Sequence, residues 1–139
     1  MIVIDASVAV KLYRIESNSD AALALFKEHE GRISVPDLFA IEVAGAIVRD
    51  ANINRSDNQD KLASLATLLA SAAITLVRTG SADLLRAANL AIDIGHPLKD
   101  CIYLALAMEL GCPLVTCDAK FAVKARGVYA GVRVLGNVA

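Results

Sequence analysis

The chain has 139 residues, 56% of them hydrophobic, and a formal charge of −1; ordinary soluble domains are roughly 45–50% apolar. That length predicts one domain, residues 1–139, with room for a real core, and the near-neutral charge excludes a global basic field that would gather nucleic acid. The longest uncharged run, Leu62 to Val77, falls short of the roughly 20 residues of a bilayer span, and Ser64, Thr67, Ser71 and Thr75 interrupt it.

In chain order, Ile2-Val3-Ile4 reads as a short strand and Asp5-Ala6-Ser7 as the turn into a helix through Val8, Val10, Leu12 and Tyr13. No basic leader precedes this apolar start, so no signal peptide is expected and the cytoplasm is the expected compartment. Ser17 to Asp20 opens a second helix with Ala22, Leu23 and Phe26 inward, closed by Gly31. Ile33-Ser34-Val35 is a second strand stopped by Pro36, and Asp37 opens a helix expected to bury Leu38, Ile41, Gly45 and Val48. Asn52 to Arg55 reads as a turn, and Ser56 with Gln59 as a capping box for a helix burying Leu62, Leu65, Ala66 and Leu69. Ile74 to Val77 is a third buried strand, and Gly80-Ser81 caps a helix ending near Gly95.

The stretch from Gly95 to Phe121 then reads as a helix start at Pro97, an apolar helix, a turn, the buried strand Pro113 to Cys117, and an acid. A short helix from Ala119 to Ala125 and a strand near Val132 to Leu135 complete the chain. Alternating helices and short apolar strands predict an α/β fold, a parallel sheet with helices on both faces. Ligands of such sheets bind beyond the carboxyl ends of the strands, where the strand order reverses. Asp5 and Asp118 each follow a strand. The three cysteines, Cys101, Cys112 and Cys117, sit in apolar runs without ligand spacing, which predicts free thiols rather than disulfides or zinc.

Taken singly, Asp5, Asp100 and Asp118 also read as carboxylates at helix starts, and for Asp37, Asp57 and Asp83 the capping reading is kept. Glu42 differs, because it stands inside a helix in the run AIEVAGAIV with no Lys or Arg one turn away. A carboxylate there is either paired, bound to a cation, or on an exposed strip. Four carboxylates converging on a strand-end cleft would repel one another without a cation between them. Oxygen donors without histidine or thiolate favour Mg²⁺ or Mn²⁺ over zinc, and phosphodiester hydrolysis is the chemistry such a site serves.

In order along the chain, IVIDASVAVKLY, VPDLFAIEVAGAI and HPLKDCIYLALAMELGCPLVTCDAKF make it resemble a PIN-domain nuclease, specifically the VapC type of toxin from toxin–antitoxin modules. The resemblance covers essentially the whole length. It implies a Rossmann-like three-layer domain with a central five-stranded parallel sheet flanked by helices. It also implies a metal-dependent endoribonuclease that cleaves cellular RNA such as tRNA, rRNA or mRNA through metal-activated water. Asp5, Glu42, Asp100 and Asp118 fall on the family's acids and are the expected catalytic ligands of Mg²⁺ or Mn²⁺. A cognate antitoxin and a homodimer or hetero-oligomer are the implied partners, with no membrane. Ser7 and Thr116 match polar positions beside that site. Lys99 replaces a residue often aromatic in relatives, and with Lys11, Arg14 and Lys120 it is a candidate phosphate contact, ordinary solvated charge being the alternative. His29 and His96 are expected to be structural or solvent-facing.

Other acidic magnesium sites fit less well. A signalling receiver domain needs an acid directly after the third strand, where Arg78 and Thr79 stand, and a dehalogenase-type phosphatase needs an aspartate where Ser7 stands. A non-catalytic module that binds RNA or a partner remains the alternative, although all four acids are present.

Overall fold

Residues 1–54 and 58–136 are described by the computed structural model, so the expected Ser56 cap, the Asp57 helix start and the end of the turn at Arg55 lie outside the described residues. Ile2–Ile4 forms strand β1, buried at every residue. It pairs in parallel with β2 (Ile33–Pro36) on one side and β4 (Leu114–Thr116) on the other. Beyond them lie β3 (Ile74–Val77) and β5 (Val132–Val134), giving a five-stranded parallel sheet in the order β3-β2-β1-β4-β5. The order reverses between β1 and β4, so the predicted three-layer α/β architecture carries its switch point between the strands that precede Asp5 and Asp118.

Seven helices flank the sheet among the described residues: α1 (Ala6–Val10), α2 (Ser19–Glu28), α3 (Leu38–Ile53), α4 (Asn58–Ala70), α5 (Ser81–Ile94), α6 (Leu98–Leu110) and α7 (Ala119–Arg126). α6 packs on β1, β2 and β4 and against α5, and it buries Cys101, Tyr103, Leu104, Ala105, Leu106 and Ala107. A helix enclosed on several sides needs apolar residues nearly all round, which is why this one lacks an amphipathic stripe. Gly95 and Gly111, at φ 65° and 64°, close α5 and α6 in the left-handed conformation that a residue with a Cβ adopts reluctantly. None of the described helices is long and apolar enough to cross a membrane, and Cys101, Cys112 and Cys117 are free thiols.

Several local expectations are corrected. α1 ends at Val10, leaving Leu12 and Tyr13 in the turn that follows, and Asn52 belongs to α3 rather than to a turn. Pro36 is the last residue of β2. Leu23 of α2 is exposed while Ala22 is buried, and in α4 Leu65 is buried while Leu62 and Ala66 are exposed. β3 is a sheet edge with Thr75 and Leu76 exposed, not a buried strand.

The largest difference concerns α3. Phe39, Val43, Ala46 and Ile47 face inward, while Ile41 is 72% exposed and Val48 49%. The helix is apolar around most of its circumference, so periodicity alone does not single out one stripe. Asp37 makes no cap bond; it accepts instead from Thr79, through the backbone N at 3.3 Å and Oγ1 at 2.9 Å, tying the ends of β2 and β3 together. Asp83 does complete a cap, accepting from Gly80 N at 2.9 Å.

Candidate active site

Asp5 follows β1 because Asp5 N donates to Val115 O at 3.1 Å, extending the strand pairing by one residue and placing the side chain at the carboxyl end of the sheet. There it caps α1, accepting from Ser7 N at 3.1 Å, and it also accepts from Ser7 Oγ. Ser7 Oγ in turn accepts from Cys117 N at 2.9 Å, so one hydroxyl joins the ends of β1 and β4. Thr116 is fully buried, hydrogen-bonds Asp5, and accepts from Asp118 N at 3.1 Å. Both polar neighbours anticipated from the sequence therefore touch the acids.

Asp118 caps α7, accepting from Phe121 N at 3.0 Å through Oδ1, and it is exposed. Asp100 is not a cap; it sits in the first turn of α6, where the helix dipole favours negative charge, and its Oδ2 lies 2.6 Å from His96 Nε2. Glu42 flanks the buried face of α3, its side chain 20% exposed. Tyr103 Oη donates to its Oε1 at 2.6 Å, and Lys99 Nζ lies 3.7 Å from Oε2. Glu42 is therefore not on an exposed strip, and its two partners stand about sixty positions away in the sequence.

Asp5, Glu42, Asp100 and Asp118 all line one open cleft of about 400 Å³, together with Ser7, Lys11, Arg14, Arg49 and Cys117. Asp5 is 5% exposed and has no cationic partner among the described residues. Burial, reinforced by the charge of Asp100, pushes its pKa from 3.8 up to about 6, although the bonds from Ser7 and Thr116 work against the rise. A nearly buried carboxylate left without a counter-charge, beside further carboxylates, fits a hard divalent cation. Cys117 is a poor competitor as a ligand, because burial raises its pKa and its Sγ donates to Ser7 O at 3.6 Å.

The arrangement is uneven. His96, Asp100 and Asp118 present ligand atoms within 4.8 Å of one another, the only such trio among the described residues, whereas Asp5 and Glu42 line the same cleft without belonging to it. Lys11 and Arg14 line the cleft already paired, Lys11 with Glu16 at 3.1 Å and Arg14 with both oxygens of Asp50 at 2.7 and 2.8 Å. Lys120 is exposed in the first turn of α7 and does not line the cleft.

Sequence reasoning missed two contacts. Tyr103 is 61 positions from Glu42, and no local pattern announces the pair. His96 is one helical turn from Asp100, a spacing that places both on one face, but its Gly-His-Pro context reads as a loop. Burial and the Glu42 charge raise the pKa of Tyr103, so it stays a donor. Tyr103→Phe should therefore lower metal-free stability by about 1.5–3 kcal/mol, the worth of a bond to a charged acceptor. An unchanged urea midpoint would show that the bond carries nothing.

Residues 2–127 match the family model of the PIN domain. No curated protein matches the chain. Among solved structures, the PAE2754 protein of Pyrobaculum aerophilum superposes with a TM-score of 0.74 at 21% identity, covering 96% of this chain and 87% of that one. A toxin–antitoxin complex from Klebsiella pneumoniae gives 0.68 at 16% identity over 96% of both chains. VapC20 of Mycobacterium tuberculosis, described as a sarcin–ricin loop cleaving toxin, gives 0.69 at 12% identity over 88% of this chain and 94% of that one.

Proposed function

The chain belongs to the PIN domain family, and from that premise we propose that it is a Mg²⁺- or Mn²⁺-dependent endoribonuclease, the VapC-type toxin of a toxin–antitoxin pair. The observation that carries this reading is the cleft at the switch point, where Asp5, Glu42, Asp100 and Asp118 converge and the most buried of them has no cationic partner among the described residues. The toxin and antitoxin named in the Klebsiella and Mycobacterium structures favour the same role. The whole chain is then a single domain working in the cytoplasm, with cellular RNA as substrate, a cognate antitoxin as inhibitor and a second copy as dimer partner.

A divalent cation held by these carboxylates would supply Lewis-acid stabilisation of phosphoryl charge and a more acidic water. The protein's own contribution is orientation. Ser7 and Thr116 fix Asp5 at the floor of the cleft, the α7 cap fixes Asp118, and Tyr103 fixes Glu42. Lys11 and Arg14 at the cleft, Lys99 beside Glu42 and Lys120 on α7 are the candidate backbone contacts; the first two must exchange carboxylate partners for phosphates. Without a cation the acids repel an RNA backbone, so metal serves binding as well as chemistry.

Purified antitoxin-free protein should cleave RNA with Mg²⁺ or Mn²⁺ and stop on addition of EDTA. Cleavage that persists in EDTA, or that is absent with every divalent cation and every RNA class tried, would overturn the nuclease reading. Growth arrest on expression, relieved by a small protein that co-purifies with the chain, is the result expected of the toxin role.

A further inference from the structure

We propose that His96 is a positioning residue for Asp100, holding that carboxylate by a hydrogen bond from Nε2–H and registering it against Asp118 through the ring of Phe121. The inference rests on the metal-nuclease reading above and adds a residue outside its four acids.

His96 occupies the corner between α5 and α6, and the corner is fixed on several sides. Its backbone N donates to Ala91 O at 3.0 Å, closing α5 around Gly95. Pro97, at φ −58°, sets the entry into α6. Lys124 of α7 donates to Gly95 O at 2.9 Å, which ties the corner to the helix that begins at Asp118. The imidazole side chain is 9% exposed and stacks on Phe121, with centroids 4.6 Å apart and planes inclined by 30°. Of the two roles expected for it, structural or solvent-facing, the structural one holds.

The ring's two nitrogens differ. Nε2 lies 2.6 Å from Asp100 Oδ2, whereas Nδ1 is buried with no hydrogen-bond partner. A proton on Nδ1 would be a buried, unpaired donor, so the tautomer that leaves least unsatisfied carries its proton on Nε2 and donates to Asp100. Asp100 has no cap bond to restrain it and its side chain is 33% exposed. The histidine bond selects one orientation and occupies one oxygen, leaving Oδ1 for another partner.

Phe121 braces both acids at once. Its ring supports His96, and its backbone N holds Asp118 Oδ1 at 3.0 Å. Asp100 and Asp118 come from different helices, yet with His96 their ligand atoms fall within 4.8 Å of one another. Partners of ligating carboxylates typically change metal affinity 10–100-fold when removed.

The test is Mn²⁺ binding by the antitoxin-free chain, followed by titration calorimetry, for wild type, His96→Phe and His96→Gln. Phenylalanine keeps a ring against Phe121 but has no N–H; glutamine gives up the ring but offers an amide N–H at comparable reach. His96→Phe should bind Mn²⁺ about tenfold or more weakly, with the metal-free melting temperature close to wild type, while His96→Gln stays within about threefold of wild type. Equal affinity of His96→Phe and wild type would overturn the proposal, and so would an equal loss in both variants. Should His96→Phe fail to fold, His96→Leu against His96→Gln reads the same bond. Wild-type protein that binds no Mn²⁺ would remove the metal reading itself, a failure distinct from equal binding by the variants.

Discussion

Asp5→Asn should reduce metal-supported RNA cleavage by about a thousandfold, equivalent to roughly 4 kcal/mol of transition-state stabilisation. Asparagine keeps the shape of the side chain and can still accept from Ser7 N, so the cap on α1 survives. What it loses is the charge. Asp5 lies at the floor of the cleft with its carboxylate held by Ser7 and Thr116, which leaves little freedom for another group to take its place. Asp118→Asn should cost a comparable factor, again with the cap to Phe121 N retained. The measurement is the initial rate on a labelled RNA, with all three proteins purified alike so that a contaminating nuclease would show as equal rates. Equal rates would sink the proposed site.

The acids were legible from the sequence for reasons that are local. Asp5 and Asp118 follow apolar strands, and the alternation of elements already places strand ends at a ligand cleft. Glu42 stood out because its neighbours are apolar. The local supports, Ser7 on Asp5 and the α7 start on Asp118, are within reach of a sequence reading, whereas contacts from distant elements are not: Tyr103 and Lys99 reach Glu42 from α6, and Asp50 at the far end of α3 neutralises Arg14 at the cleft. The buried face of α3 escapes the sequence for a related reason. Leu38, Phe39, Ile41, Val43, Ile47 and Val48 offer apolar surface in several directions, and only packing against the rest of the fold selects Phe39 and Val43. The exposure of β3 is not legible either, because an apolar run shows a strand without showing whether it is central or at the edge.

Burial of an unpaired Asp5 also predicts how metal-free stability depends on pH. Its folded pKa of about 6 lies above the ordinary 3.8, so between these values the native state binds more protons than the unfolded chain. Stability from this group therefore falls as pH rises through that window, the reverse of a salt-bridged aspartate. The rise from 3.8 to about 6 corresponds to about 3 kcal/mol, present below pH 4 and lost above pH 6. In EDTA, urea unfolding should show wild type losing roughly 2 kcal/mol relative to Asp5→Asn between pH 4 and pH 7, the part of the full effect that this window spans. Subtracting the variant cancels the titration of carboxylates that do not interact with Asp5. Saturating Mn²⁺ should then restore wild type at pH 7 and leave Asp5→Asn nearly unmoved, because a ligand that binds only the native state stabilises it. A wild-type-minus-variant difference that stays flat from pH 4 to pH 7 would mean that Asp5 carries its charge without strain. The cleft would then have no need of a cation at that position.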